Sequence, residues 1–320
     1  MARRTSIRKW LWHGLSGALA VGILALLLSR QKWQHLSDQL HRVNWPLLAA
    51  AAGLAVAYWA VRTARWRWVT SLEQQRIGWG KALVSMLAGL GVGLITPLRG
   101  GEIVRPMFLP KGARLRLAGY VVIEKMFDLS AVLSLCLLGL VYMVFAGLVL
   151  AGGGRLSPWL LLLVPPLLAA ALGVPLLLHY RPRRLWAGLS RLLPGKAKEL
   201  AETRLQWRQF GVFYGVSILA EVLSILAVFC CLRAYGHIEL IKAVALTPVV
   251  MLHNLVPATP AGFGVREGTA VVVFGAFGFS EGMVLAAYLT NAVIVLLIPG
   301  CVGIVAAWVS GLAKALEAES

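Results

Sequence analysis

The sequence predicts an all-α protein that crosses a membrane several times. Hydrophobic residues make up 59% of the chain and charged residues only 14%, whereas an average soluble domain has roughly 25% charged residues. Several apolar runs reach the roughly 20 residues that an α-helix needs to cross the bilayer core. The runs are continuous, while strands of a membrane β-barrel alternate between apolar and polar residues. A polytopic helical bundle is therefore the predicted fold class.

Six of the apolar runs are predicted to cross the membrane, and two more are predicted to form re-entrant hairpins. The crossings cover residues 10–28, 47–64, 117–150, 158–178, 210–232 and 283–308. The other two runs, 82–98 and 243–260, each end at Pro and Gly, and broken backbone at membrane depth needs protein or a water-filled cavity around it. Eight simple transmembrane helices are the alternative, but they would place the basic segment 99–116 on the outer face.

The placement of basic residues predicts the topology. The chain has 31 basic and 13 acidic side chains, and the segments 62–81 and 179–209 carry much of this excess. Cytoplasmic loops are enriched in Lys and Arg, so we expect both segments and both termini in the cytoplasm. The run 62–68 is interpreted as a cytoplasmic anchor, with a cradle for lipid phosphates as the alternative. No nucleic-acid recognition module is visible, so we expect no nucleic-acid partner.

The order of the predicted elements divides the single membrane domain, 1–320, into two halves. Residues 1–155 and 156–320 each contain two crossings, a hairpin and a third crossing. Three crossings are an odd number, so the second half is expected to be inverted relative to the first. Inverted repeats of this kind build carriers whose site lies near the membrane midplane.

Charged residues concentrate at the two breaks and on the helix after the first break. Glu124 and Asp128 are four residues apart and therefore share one helix face. One interpretation of these charges is a set of internal salt bridges. The other is a groove that binds a charged headgroup, because Arg can bind phosphate in a bidentate fork. The predicted substrate-binding residues are Arg99, Glu102, Arg105, Glu124, Lys125, Asp128, Arg266 and Glu267.

Two further residues in apolar surroundings are candidates for proton or ion coupling. Glu221 lies deep in the run 210–232, and His253 lies just before the second break; a histidine that serves helix packing is the alternative for the latter. The four cysteines lie in apolar runs without CxxC spacing, so no metal site is expected. We expect no other cofactor and no catalytic residue.

Three motifs resemble a known family. They are P-x-R-x-G-E-x-x-R from Pro97, E-K-x-x-D from Glu124, and P-x-x-P-x-G-x-G-x-R-E from Pro257. In order and spacing they are similar to the lysylphosphatidylglycerol synthase transmembrane family, the flippase-like domain at the N-terminus of the bacterial multiple peptide resistance factor. The resemblance covers nearly the whole chain.

The resemblance implies a lipid translocase in the bacterial cytoplasmic (inner) membrane. The implied partners are membrane lipids, of the phospholipid, polyprenyl or hopanoid type, with a homo-oligomer or a lipid-biosynthesis partner left open. Since no aminoacyl-transfer domain follows residue 320 and no ATP-binding loop is present, we expect no synthase or ATPase activity. The alternatives are an intramembrane enzyme with Glu102 or Glu267 as base, and a partner subunit for an enzyme that acts on lipid-linked substrates.

Overall fold

The computed structural model of the protein describes residue 22 and residues 43–109, 114–147, 150–154, 156–180, 206–255 and 259–309. These residues form helices and no strand, which confirms the all-α class. The predicted crossing 10–28 and most of the basic segment 179–209 lie outside the described residues, so the cytoplasmic placement of the termini stays a prediction.

Nine α-helices are assigned in the described residues. They are α1 Trp45–Leu72, α2 Trp79–Ile95, α3 Arg114–Phe145, α4 Val164–Tyr180, α5 Trp207–Tyr235, α6 Leu240–Met251, α7 Val265–Gly275, α8 Glu281–Ala292 and α9 Ile298–Val309. A 3₁₀ helix, Pro97–Phe108, follows α2, another, Pro158–Leu163, precedes α4, and the π-turn Val293–Leu297 joins α8 to α9. Four helices are long and apolar enough to cross a bilayer: Trp45–Leu72, Arg114–Phe145, Trp207–Tyr235 and Glu281–Ala306.

The first correction to the sequence interpretation concerns the end of α1. The helix continues to Leu72 instead of ending at residue 64, and Arg62 and Arg65 are 4% and 2% exposed. The interpretation of these two arginines as a cytoplasmic anchor is therefore wrong. They face acidic side chains inside the bundle, and these compensate their charges.

Helices α1 and α3 run antiparallel. Arg116 on α3 lies 3.1 Å from Glu73, directly after α1. Two turns earlier on α1, Arg65 lies 3.5 Å from Glu124, which is two turns later on α3. The end of α1 and the start of α3 therefore share one face of the bundle, which we call the Glu73 face. The chain between them must return to the face that it left.

The returning segment is a hairpin made of α2 and the 3₁₀ helix Pro97–Phe108, called the first hairpin. Its turn follows Ile95 because Pro97 has no backbone N–H and disfavours helical backbone in the residue before it. The arms touch closely: a Cβ on Gly101 would lie 2.3 Å from the backbone nitrogen of Gly93. This is the path predicted for the run 82–98.

A second hairpin enters from the opposite face. The N–H of Asn44, before α1, donates to the Ala234 carbonyl at the end of α5, at 3.1 Å. Helix α1 has 28 residues, so its start near Ala234 lies about 42 Å from its end at the Glu73 face. Gly236 packs against Met283 at the start of α8. The chain between α5 and α8, which contains α6 and α7, therefore leaves and returns at what we call the Ala234 face.

The tips of the two hairpins meet inside the bundle. The turn Pro260–Gly262 of the second hairpin packs against α2 and against the 3₁₀ helix of the first. Helices α1 and α5, which precede the two hairpins, pack against each other in antiparallel orientation. Two hairpins thus approach one central region from opposite faces. The division into repeats 1–155 and 156–320 stays a prediction.

Candidate functional site

The first hairpin is tied to α3 by buried ion pairs. Arg105 donates to Glu124 Oε2 at 2.9 Å and also pairs with Glu102. Lys125 Nζ lies 2.6 Å from the same Glu102 carboxylate. Arg105, Glu102 and Glu124 are at most 3% exposed. In this part of the molecule the predicted substrate-binding residues therefore contact one another, as the salt-bridge interpretation expected.

Two arginines of α1 complete this network, and sequence reasoning missed them. Arg65 Nη1 donates to Asp128 Oδ1 at 2.8 Å and to Ser217 Oγ at 2.7 Å. Arg62 Nη2 lies 3.2 Å from Asp128 Oδ2, and its Nη1 donates to the Tyr58 hydroxyl at 2.8 Å. Helical spacing places residues 58, 62 and 65 on one face of α1, but no local pattern in the sequence shows that this face meets the acids of α3 and the first hairpin.

The second hairpin carries its own ion pair at the start of α7. Arg266 pairs with Glu267, and the other carboxylate oxygen of Glu267 accepts the N–H of Gly264 at 2.7 Å, which caps the helix. Gly264 has a φ of +80°, a conformation that glycine adopts without strain. The turn therefore holds the Arg266 side chain, which is 7% exposed, against the centre of the bundle.

A cavity of about 340 Å³ lies against the second hairpin, and α1, α3, α5 and α8 form its other walls. Its charged lining comes from α1, α3, α5 and α7: Arg62, Lys125, Asp128, Glu221 and Arg266. Neutral polar side chains from the second hairpin and α8 form another part of the wall: Thr247, His253, Thr259, Tyr288 and Asn291. The cavity therefore offers cations, carboxylates and uncharged hydrogen-bonding groups to one small ligand.

Some of the lining groups have hydrogen-bonding capacity left over. Arg62 Nε, Thr259 Oγ1 and Asn291 Oδ1 are buried and have no hydrogen-bond partner among the described residues. Buried polar groups are normally paired, so these atoms are positioned to meet a ligand.

The predicted site residues separate into two groups. Lys125, Asp128 and Arg266 line the cavity, together with both candidates for coupling, Glu221 and His253. The remaining carboxylates and Arg105 are held behind the wall in the ion pairs described above: Glu102, Glu124 and Glu267. The side chain of Arg99 lies outside the described residues.

A comparison with protein families agrees with the resemblance found in the motifs. The family model described as "Lysylphosphatidylglycerol synthase TM region" matches residues 15–303, which is nearly the whole chain. No curated protein matches the sequence.

Proposed function

Since the chain belongs to the lysylphosphatidylglycerol synthase TM region family, we propose that it moves a phosphate-bearing lipid headgroup between the two leaflets of its membrane. The family and the long apolar helices make it a multi-pass membrane protein with a function related to lipid modification or flipping. The bacterial cytoplasmic membrane is the proposed location, with membrane lipids as partners.

The observation that carries this proposal is the charged cavity against the second hairpin, whose turn also contacts the first hairpin. Transporters built from inverted repeats place their substrate near the midplane, between discontinuous helices. Here the second hairpin lines the cavity directly, while Glu102 of the first hairpin contacts two of the lining cations, Arg62 and Lys125. In this proposal, movement of the second hairpin changes access from the Ala234 face, and the first hairpin controls access from the Glu73 face through these ion pairs, as alternating access requires.

The chemistry of the lining suits a phosphodiester. Arg62, Lys125 and Arg266 come from three different helices and point into the same cavity. Charge-assisted hydrogen bonds from such cations to phosphate oxygens are about twice as strong as neutral ones. The volume of about 340 Å³ lies within the range of about 300–1,000 Å³ for small-molecule sites. A headgroup fits this polar space, while the acyl chains stay in the bilayer.

The test is lipid translocation by the purified protein in liposomes. Fluorescent phosphatidylglycerol and phosphatidylethanolamine should reach the other leaflet faster than in empty liposomes. Arg266→Ala should slow this by about 10- to 100-fold, because a hydrogen bond to a charged group is worth about 1.5–3 kcal/mol. The matched control is Arg116→Ala, which removes a 55% exposed arginine on the Glu73 face and should translocate as the wild type does.

Two results would overturn the proposal. One is a wild-type rate equal to that of empty liposomes for both headgroups and for a polyprenyl phosphate. The other is a chemically altered lipid detected by mass spectrometry, which would favour the intramembrane enzyme. A protein that is inert alone but active with a lipid synthase would favour the partner subunit.

A further inference from the structure

Glu221 is the one acid of the cavity for which the described residues provide no ion pair. It lies on α5, is 9% exposed and lines the cavity. Asp128, by comparison, has cations of α1 at 2.8 Å and 3.2 Å. An ionised carboxylate at membrane depth without a bound cation is costly, so the charges around Glu221 decide its protonation state.

The groups that face Glu221 come from all sides of the cavity. Helix α6 contributes only uncharged side chains to this wall: Thr247, Val250 and Met251. The titratable and charged neighbours are Tyr58, Arg62 and Arg65 from α1, Lys125 and Asp128 from α3, His253 and Arg266 from the second hairpin, and Tyr288 from α8.

Among the described residues, the charges of the ion-pair network and the cavity balance only when Glu221 is ionised; one of these charges, Lys125, is 36% exposed. Five cations belong to the network and the cavity: Arg62, Arg65, Arg105, Lys125 and Arg266. Five acids accompany them: Glu102, Glu124, Asp128, Glu221 and Glu267. A headgroup with one negative charge would therefore leave one uncompensated negative charge in a medium of low dielectric constant, which is strongly unfavourable.

Uptake of one proton would compensate this negative charge, and Glu221 is the acid that can accept the proton with the least loss of ion pairing. Each of the other four acids would have to give up an ion pair, such as Glu124 with Arg105 at 2.9 Å or Glu102 with Lys125 at 2.6 Å. Protonation of Glu221 breaks no ion pair among the described residues, and the neutral acid gains an O–H donor for a phosphate oxygen.

We infer that entry of a monoanionic phosphodiester headgroup into this cavity is coupled to the uptake of one proton by the Glu221 carboxylate. The proton comes from water at whichever face the cavity is open to, and it is released when the headgroup leaves. The bound anion and the proton together carry no net charge, so the membrane potential does not drive or oppose their passage. A zwitterionic headgroup brings no net charge and takes up no proton. This inference rests on the proposed function, since it requires a headgroup to enter this cavity.

Isothermal titration calorimetry in lipid nanodiscs tests the coupling. Short-chain phosphatidylglycerol is titrated at pH 8 in two buffers with different ionisation enthalpies, and the difference in heat gives the protons taken up per headgroup. We expect a value approaching one for phosphatidylglycerol and zero for phosphatidylethanolamine. The Kd for phosphatidylglycerol should rise with pH, by up to about tenfold per pH unit, as linkage to one proton requires.

Two variants make the assignment specific to Glu221. Glu221→Gln holds a neutral side chain of the same shape and should bind phosphatidylglycerol without proton uptake and with a Kd independent of pH. Glu239→Gln removes an acid that is 55% exposed at the start of α6 and should retain the wild-type uptake.

The outcomes separate this inference from the proposed function. If the wild type binds and translocates phosphatidylglycerol without proton uptake, or if Glu221→Gln still takes up a proton, the coupling is wrong and translocation stands. If no lipid is bound or translocated, both the coupling and the proposed function are overturned.

Discussion

Replacement of Arg65 by methionine would remove the cation that joins α1, α3 and α5. The Arg65 side chain is fully buried and donates to Asp128 at 2.8 Å and 3.3 Å and to Ser217 at 2.7 Å. Methionine retains most of the length of the aliphatic stem but has no charge and no donor. The substitution therefore isolates the electrostatic contribution of this residue.

The expected loss in the free energy of unfolding depends on the ion-pair partner that each remaining charge keeps. Removing one partner of a buried ion pair costs about 3–5 kcal/mol. Because Asp128 keeps Arg62 at 3.2 Å, Arg65→Met should lower the free energy of unfolding by about 3 kcal/mol, the lower end of that range. Asp128→Asn alone should cost a similar amount, since Arg65 keeps Glu124 at 3.5 Å. Because the two residues form one pair, the double variant should lose about 3–4 kcal/mol and not the sum of about 6.

The measurement is equilibrium unfolding in mixed micelles with an increasing fraction of sodium dodecyl sulfate, applied to both single variants and the double variant. The control is the same set of variants at an exposed pair, Arg116→Met and Glu73→Gln, whose contact is 3.1 Å and whose arginine is 55% exposed. There the difference between the loss in the double variant and the sum of the single losses should be below about 1 kcal/mol. Additive losses at Arg65 and Asp128, or equal coupling at the exposed pair, would refute the reasoning.

Two further predictions concern the hairpins. Gly101→Val should lower the thermal unfolding midpoint and the yield of folded protein, because a Cβ there would lie 2.3 Å from backbone atoms of the other arm and overpacking costs about 1–3 kcal/mol or more. The control is Gly53→Ala, where a Cβ meets nothing within 4 Å, and it should leave the midpoint unchanged or raise it. Equal midpoints for the two variants would contradict the close contact of the arms. In a chain whose native cysteines are replaced, Gln75→Cys and His237→Cys should react with an impermeant maleimide from opposite sides of the membrane; labelling of both from one side would contradict the entry of the hairpins from opposite faces.

The fold class and most element positions followed from local sequence properties. A continuous apolar run of about 20 residues has one stable solution in a bilayer, because only a helix satisfies its own backbone hydrogen bonds there. The predicted run 210–232 lies within the helix Trp207–Tyr235, and the run 283–308 is covered by α8, the π-turn and α9. The breaks were equally local: Pro97 ends α2, and Gly264 precedes α7 with a positive φ.

The errors arose where charge and burial were judged without knowledge of the partners. Arg62 and Arg65 follow an apolar run, as topology-determining arginines do, and were therefore assigned to the membrane surface. Their acidic partners lie 40 to 66 residues away in the chain, on α3 and the first hairpin. No local pattern indicates that three acids on those elements will face α1.

The sequence alone thus determined an all-α membrane protein with two Pro/Gly-broken hairpins and a set of intramembrane charges, because apolar length and backbone geometry are local properties of the chain. Only the tertiary structure decided which of those charges pair with each other and which face a cavity. Glu102, Arg105 and Glu124 pair with one another, while Lys125, Asp128, Glu221 and Arg266 line the central space together with Arg62. That division depends on how helices distant in sequence are rotated against each other, and it is set by the packing of the whole bundle.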